Sequence, residues 1–448
     1  MSKTFEGLMD AMETEELRCE EPEKKTDRPD EAAFARKFIS RHKLMTYSGS
    51  TFGVNGLIPD DRLRHMVYDE LLHSEDVSLQ RGSLKNRVTS VIDAIKAMTY
   101  VEDISAQEHL IHYSNGTLNL QTVEFTEEKD VCLNRLCVPF TDDPHTPERW
   151  LKFLDELLYP EDIPTLQQFM GYLMIPSTRA QKMLMILGRG GEGKSRIGTV
   201  LYDIFGSGMN KGTLSRLASS PFYASAQTGK LLLLDDDMNF EALKDTGTLK
   251  TIVTAEDTID LERKGKQSEQ GRLYVRLMGF GNGALTSLHD QSDGFYRRQI
   301  ILRTKPVPAD RVPDPKLSDK LHEEIVDIAY WCFQGLADLI YHNYVIFESD
   351  RAKANIENIR MEGDSVAEFA ADPDYLCYSP ERSVTSAGIV YMYKKWCADN
   401  SVTPRSDRSV TRWFMENADR LEIKYDCHVP NPEGRKVRGF HGIGCIGQ

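Results

Sequence analysis

The sequence predicts an α/β protein built around a phosphate-binding loop, with a mainly helical segment before it and a small helix-and-hairpin domain after it. Three observations lead there. The run Gly188-Arg189-Gly190-Gly191-Glu192-Gly193-Lys194-Ser195 directly follows the apolar stretch Met183-Leu184-Met185-Ile186-Leu187. Residues 183 to about 303 alternate apolar strands with helical patterns, the signature of a parallel sheet. Residues 364–448 carry two short amphipathic helices and then a hairpin marked by Pro430, Pro432 and Gly434.

Composition narrows the possibilities. At 448 residues, with 40% hydrophobic and 28% charged residues, the chain has ample core-forming sequence for several soluble domains. No apolar run approaches the roughly 18 residues of a membrane span. No charged start followed by an apolar segment marks secretion, so the cytoplasm is the expected location. A net charge of −14 argues against a protein that coats duplex DNA with its whole surface. Any nucleic-acid contact must come from locally concentrated basic groups. The eight cysteines include no Cys-x-x-Cys pair, and Cys427-His428 with His441 and Cys445 lacks standard zinc spacing.

Residues 1–30 read as an acidic disordered arm (Glu20-Glu21-Pro22-Glu23). From 31 to 180 the pattern is mainly helical, with a short strand pair near residues 44–57 and a hairpin signal at Asn115-Gly116. Trp150, Phe153, Leu154 and Leu157, then Leu166, Phe169 and Met170, mark helices that lead into the nucleotide-binding strand. Residues 181–345 read as the α/β core that carries the phosphate loop, ending in a long helix with Leu321, Ile325, Ile328, Cys332, Leu336 and Leu339 on one face.

In the loop, glycines let backbone N–H groups close around phosphate oxygens. Lys194 can reach the β- and γ-phosphates of ATP, and Ser195 can hold Mg²⁺. The helix that follows buries Ile197, Val200, Leu201 and Ile204 and points its positive end at the anion. A second apolar strand, residues 231–234, ends in Asp235-Asp236-Asp237. Asp235 is assigned to the metal and Asp236 to the attacking water, with the register open by one residue, so that Asp237 could take the second role. Asn282, after a third strand, is placed to sense the γ-phosphate. Arg297 and Arg298, just before a fourth strand, supply at least one guanidinium for the γ-phosphate of a neighbouring subunit. Between the second and third strands Arg263, Lys264 and Lys266 occupy a hairpin tip suited to a nucleic-acid backbone.

In the tail, helix, turn, helix and hairpin follow the order of a winged helix. Arg405, Arg408 and Arg412 on its second helix and Arg435, Lys436 and Arg438 on its hairpin suit phosphate contact. A basic face that docks protein is the other reading.

This set resembles the superfamily 3 helicases, most of all their phage, plasmid and poxvirus primase-helicase branch. The loop, the acids at 235–237, the Lys264 hairpin and Asn282 fall within 94 positions, the compactness that marks that superfamily. Asn115-Gly116-Thr117-Leu118, Gly171-Tyr172 and Asp293-Gly294-Phe295-Tyr296-Arg297-Arg298 are further matches. The resemblance implies an AAA+-type fold with a helical collar used in oligomerisation over 31–180. It also implies a homohexameric ring, ATP hydrolysis between subunits, and translocation on single-stranded and forked DNA beside an initiator or primase partner. Lys264 becomes the pore-hairpin lysine, and Arg297 or Arg298 the finger. Two features depart from the pattern: Asn282-Gly283-Ala284-Leu285 lacks the proline that usually comes shortly after the asparagine, and the acidic strand end has no glutamate. Relatives that prime carry a polymerase domain before the collar, so a helicase without primase activity is expected. An ATPase that remodels protein, and an origin-binding initiator controlled by ATP, are the competing functions.

Overall fold

The computed structural model describes residues 30–80, 82–102, 107–238, 247–255, 258–262, 269–282, 293–308, 310–312, 314–362, 365–400, 402, 404–430 and 434–446. They fall in two units, Met1–Lys353 and Ala354–Gln448.

In the first unit, the helices Glu31–His42, Asp60–Leu72 and Leu84–Met98 bury Phe38, Leu63, Val67, Val91 and Ile95 in a cluster of their own. Strands β1 (Met45–Tyr47), β2 (Ser50–Gly53), β3 (Gly56–Ile58) and β4 (Tyr100–Val101) form a sheet of order β3-β2-β1-β4. A second small sheet holds β5 (Leu110–Tyr113), β6 (Gly116–Asn119) and β7 (Glu124–Thr126). This is more strand than the sequence pattern suggested. Strands of two to four residues are too short to show a period against the helices around them.

Tyr113 pairs with Gly116, so the β5–β6 turn is Ser114-Asn115, one residue earlier than the Asn-Gly signal. Gly116 is needed for a different reason: a Cβ there would lie 2.2 Å from the Thr126 carbonyl oxygen. Buried Arg135 donates to the carbonyls of Tyr113 (2.7 Å), Gly116 (2.9 Å) and Val54 (2.5 Å) and so ties the two small sheets together.

The helices Glu148–Leu157 and Ile163–Tyr172 pack Trp150, Phe153, Leu154 and Phe169 into the same hydrophobic cluster as Leu184, Ile186, Leu302, Ile328 and Leu336. The boundary expected at residue 181 therefore does not divide two cores. Residues from β5 onward belong with the sheet that follows.

That sheet is five-stranded and wholly parallel, built from β8 (Met183–Leu187), β9 (Met209–Lys211), β10 (Leu232–Met238), β13 (Arg276–Gly281) and β14 (Gln299–Arg303) in the order β14-β8-β13-β10-β9. β8 and β13 are buried along their whole length, as a sheet covered on both faces requires. Between β10 and β13 the short strands β11 (Ile259–Leu261) and β12 (Glu269–Gly271) pair antiparallel.

The helix Ile325–Tyr341 crosses Ile163–Tyr172 at two glycines. A Cβ at Gly171 would lie 2.3 Å from the Cys332 carbonyl oxygen, and one at Gly335 would lie 2.3 Å from that of Gln167. The two backbones touch, and no larger residue fits at either position.

In the second unit, strand β15 (Leu376–Thr385) precedes the helices Ser386–Asp399 and Asp407–Glu416, and strands β16 (Lys424–Pro430) and β17 (Lys436–Cys445) follow. The sheet order is β15-β17-β16, antiparallel throughout. Tyr393, Phe414, Phe369 and Phe440 form an aromatic core. Among the described residues no helix is long and apolar enough to cross a membrane.

Candidate phosphate-binding site

The site begins where β8 leaves the sheet. Gly188 N–H donates to the Gly281 carbonyl (3.0 Å), which holds the loop to the end of β13. Gly190, Gly191 and Gly193 have φ of 103°, 83° and 108°, a region closed to most side chains. Nothing lies within 4 Å of a Cβ built at Gly190 or Gly191, so this side of the loop is open. Arg189 is exposed. Ser195 is exposed at the first position of the helix Ser195–Phe205, whose N–H groups face the loop.

The cradle already holds an anion of the protein's own. Glu192 is 5% exposed, and its two carboxylate oxygens each accept from Gly190 N–H at 2.9 Å. Lys194 Nζ donates to Glu192 Oε2, also at 2.9 Å. Burial is the largest influence on this carboxyl and pushes it up. Lys194 and the backbone N–H groups together outweigh burial and hold it below the usual glutamate range. The carboxylate thus sits among the donors that a phosphate would use. Sequence reasoning counted Glu192 as a loop residue and had no signal for this orientation.

Asp235 and Asp236 lie on opposite faces of the sheet. Asp235 is buried, and its Oδ2 accepts from Leu214 N–H (2.9 Å) at the start of the helix Leu214–Ser219. Burial raises its carboxyl above the usual aspartate value against that hydrogen bond. Asp236 takes the opposite face. Its Oδ1 is buried, has no hydrogen-bond partner among the described residues, and lies 4.0 Å from a Cβ built at Gly198 in the helix that Ser195 opens. Leu234, two residues earlier, packs on the same glycine, as strand alternation requires. One extra residue in β10 between Asp235 and Met238, opposite Gly279 and Gly281, makes a bulge at the acids. The Asp235 carboxylate, expected from sequence to hold the metal, is engaged by Leu214, on the face opposite Asp236.

Asn282 directly follows β13, which lies between the loop strand β8 and the acidic strand β10, and it is exposed there. Arg297 is exposed, whereas the Arg298 guanidinium turns back to the Gly294 carbonyl. Both precede β14, whose first residue Gln299 pairs with Met183 at the start of β8. They stand a strand's length, about 15 Å, from the loop at the other end of the sheet.

Arg263, Lys264 and Lys266 lie outside the described residues. The strands that flank them pair, Leu261 opposite Glu269. In the second unit Arg408 and Arg412 are exposed one turn apart on the helix whose Val410 and Phe414 are buried. Arg405 is half-buried before the Ser406 cap, and Arg435, Lys436 and Arg438 are exposed on the hairpin. One residue that sequence reasoning missed touches the loop: Arg311, from the proline-rich segment after β14, donates through Nη1 to the carbonyls of Glu192 (2.8 Å) and Gly191 (3.3 Å).

Two family models match the chain. Residues 31–158 match the family described as D5 N terminal like, and residues 186–298 match a family of unknown function, DUF5906. Among solved structures, the A form apo structure of the NrS-1 C terminal region (305-718) is similar at 12% identity, over 92% of this chain and 99% of that one, with a TM-score of 0.50. A further apo structure of the same region is similar at 12% identity, over 94% and 100%, with a TM-score of 0.51. Likeness at this level of identity is a likeness of fold.

Proposed function

We propose that the protein is an ATP-driven DNA helicase of a phage-type replication system, built on an AAA+-type core and working as a ring of copies. The observation that carries this reading is the pairing of a glycine-rich cradle holding Lys194 with an acid, Asp236, whose Oδ1 has no partner among the described residues, on the same face of the sheet two strands over. The sheet order, with a strand between loop and acids, supports nucleotide hydrolysis at this point. The superfamily 3 resemblance and the D5 N-terminal-like match support the replication role.

Asp236 Oδ1 is an orphaned acceptor beside the helix that Ser195 opens, and the two residues fit Mg²⁺, which when bound would neutralise phosphate charge. Lys194 leaves Glu192 and binds the β- and γ-phosphates. Asp237, next along the strand and exposed, takes the proton of the attacking water, in place of the Asp236 base expected from sequence. Asn282 orients that water from the neighbouring strand. Arg297 is about 15 Å from its own loop. It therefore serves the site of the next copy, stabilising charge on the γ-phosphate. Arg263, Lys264 and Lys266 grip single-stranded DNA. The second unit is a winged helix whose Arg405, Arg408 and Arg412 contact the backbone of duplex DNA.

The net charge of −14 favours a second reading, an ATPase that remodels a protein partner. Unwinding of forked DNA by the wild type and by Lys194→Ala decides between them. ATP-dependent strand separation that Lys194→Ala abolishes supports the helicase. ATP hydrolysis without strand separation supports the remodelling ATPase.

A further inference from the structure

A phosphate cradle works only if its N–H groups point inward, and in a trans peptide the carbonyl points opposite to the N–H of the next residue. The Gly191 carbonyl shares a peptide plane with Glu192 N–H, and the Glu192 carbonyl shares one with Gly193 N–H. Both carbonyls accept from the same nitrogen, Arg311 Nη1, at 3.3 and 2.8 Å. The other guanidinium nitrogen, Nη2, lies 3.6 Å from a Cβ built at Gly193, so the whole group lies against the outer side of the turn. Glycines at 190, 191 and 193 leave these planes easy to rotate.

We propose that Arg311 is a positioning residue for phosphate binding: it hooks two successive loop carbonyls from outside and so aims the N–H groups of Glu192 and Gly193 into the cradle. This rests on the nucleotide-site reading above and adds a residue to it. The guanidinium acts on the peptide planes and needs no contact with the nucleotide. Its own backbone is held in place, since Arg311 N–H donates to the Pro308 carbonyl (3.1 Å). The segment that carries it lies between β14 and the helix Leu317–Glu323.

The test is equilibrium binding of ADP and of a non-hydrolysable ATP analogue to the full chain, for wild type, Arg311→Met and Arg311→Lys, with thermal unfolding of each unliganded protein alongside. Arg311→Met should weaken both nucleotides by the same factor, about tenfold, because the cradle serves phosphates common to both. In hydrolysis, KM should rise more than kcat falls. Arg311→Lys, which keeps a charged donor, should recover part of the loss. Unchanged affinities in Arg311→Met would overturn the proposal. A loss confined to the ATP analogue would overturn it too, since that is the mark of direct contact with the γ-phosphate. Should Arg311→Met fail to fold, Arg311→Lys alone decides: a smaller loss shared equally by ADP and the ATP analogue supports the hook, and unchanged affinity or a loss for the ATP analogue only refutes it. If the wild type binds neither nucleotide, the site reading itself has failed.

Discussion

Replacing Glu192 with glutamine should tighten nucleotide binding. The carboxylate takes Gly190 N–H on both oxygens and Lys194 Nζ on one, all at 2.9 Å. A nucleotide must evict it to reach the same donors. Hydrogen bonds to a charged group are worth about 1.5–3 kcal/mol each. The donors, however, exchange one anion for another, and the evicted carboxylate regains water. What remains is a plug worth about 1–2 kcal/mol, or a penalty of about 5- to 30-fold in affinity. The amide lacks the charge that holds Lys194, so Glu192→Gln should lower the Kd for ADP by about tenfold. The assay is titration with a fluorescent ADP analogue at fixed ionic strength. The carboxyl is held below its usual range, so its contribution is present above the unfolded value of 4.5 and is lost only as pH falls through the lower folded value. The gain should therefore be the same at pH 6 and pH 8. Equal or weaker binding by Glu192→Gln would refute the reasoning and make Glu192 a strut of the loop.

Three further predictions follow from the same geometry. Asp236→Ala should abolish Mg²⁺-dependent hydrolysis with little change in melting temperature, whereas Asp235→Ala should lower stability by about 1–3 kcal/mol through loss of the buried bond to Leu214, read by denaturant unfolding. Arg297→Ala subunits mixed with Lys194→Ala subunits should regain hydrolysis at mixed interfaces, and absence of any recovery would contradict action between copies. Gly171→Ala should destabilise by about 1–3 kcal/mol or more, since its Cβ would meet the Cys332 carbonyl at 2.3 Å, and an unchanged unfolding midpoint would show that the helix crossing yields.

The loop was legible because its chemistry is local: a buried strand, glycines at fixed spacing and an amphipathic helix all lie within residues 183–205. The acids were legible as a cluster but not in their register. Which carboxylate faces the Ser195 helix depends on strand alternation and on a bulge against β13, a partner some forty residues away. Glu192 could not be read because its role lies in a side-chain orientation. Arg311 could not be read because a lone arginine among prolines has no pattern, and only the fold brings it to the loop. Trp150 and Phe169 show amphipathic helices in sequence, but not that those helices share the core of the parallel sheet. The hairpin Asn115-Gly116 was found from the right residues with the roles exchanged, since Gly116 answers to Thr126 across β7 and not to the turn.

The central claim is that nucleotide cleavage at the Lys194 cradle is coupled to DNA. The most direct measurement is steady-state ATP hydrolysis by the full chain with Mg²⁺, with and without single-stranded DNA, for wild type and Lys194→Ala. The account predicts turnover that DNA stimulates in the wild type and that Lys194→Ala lacks. Wild-type hydrolysis that is absent, or that is indifferent to DNA, would contradict it.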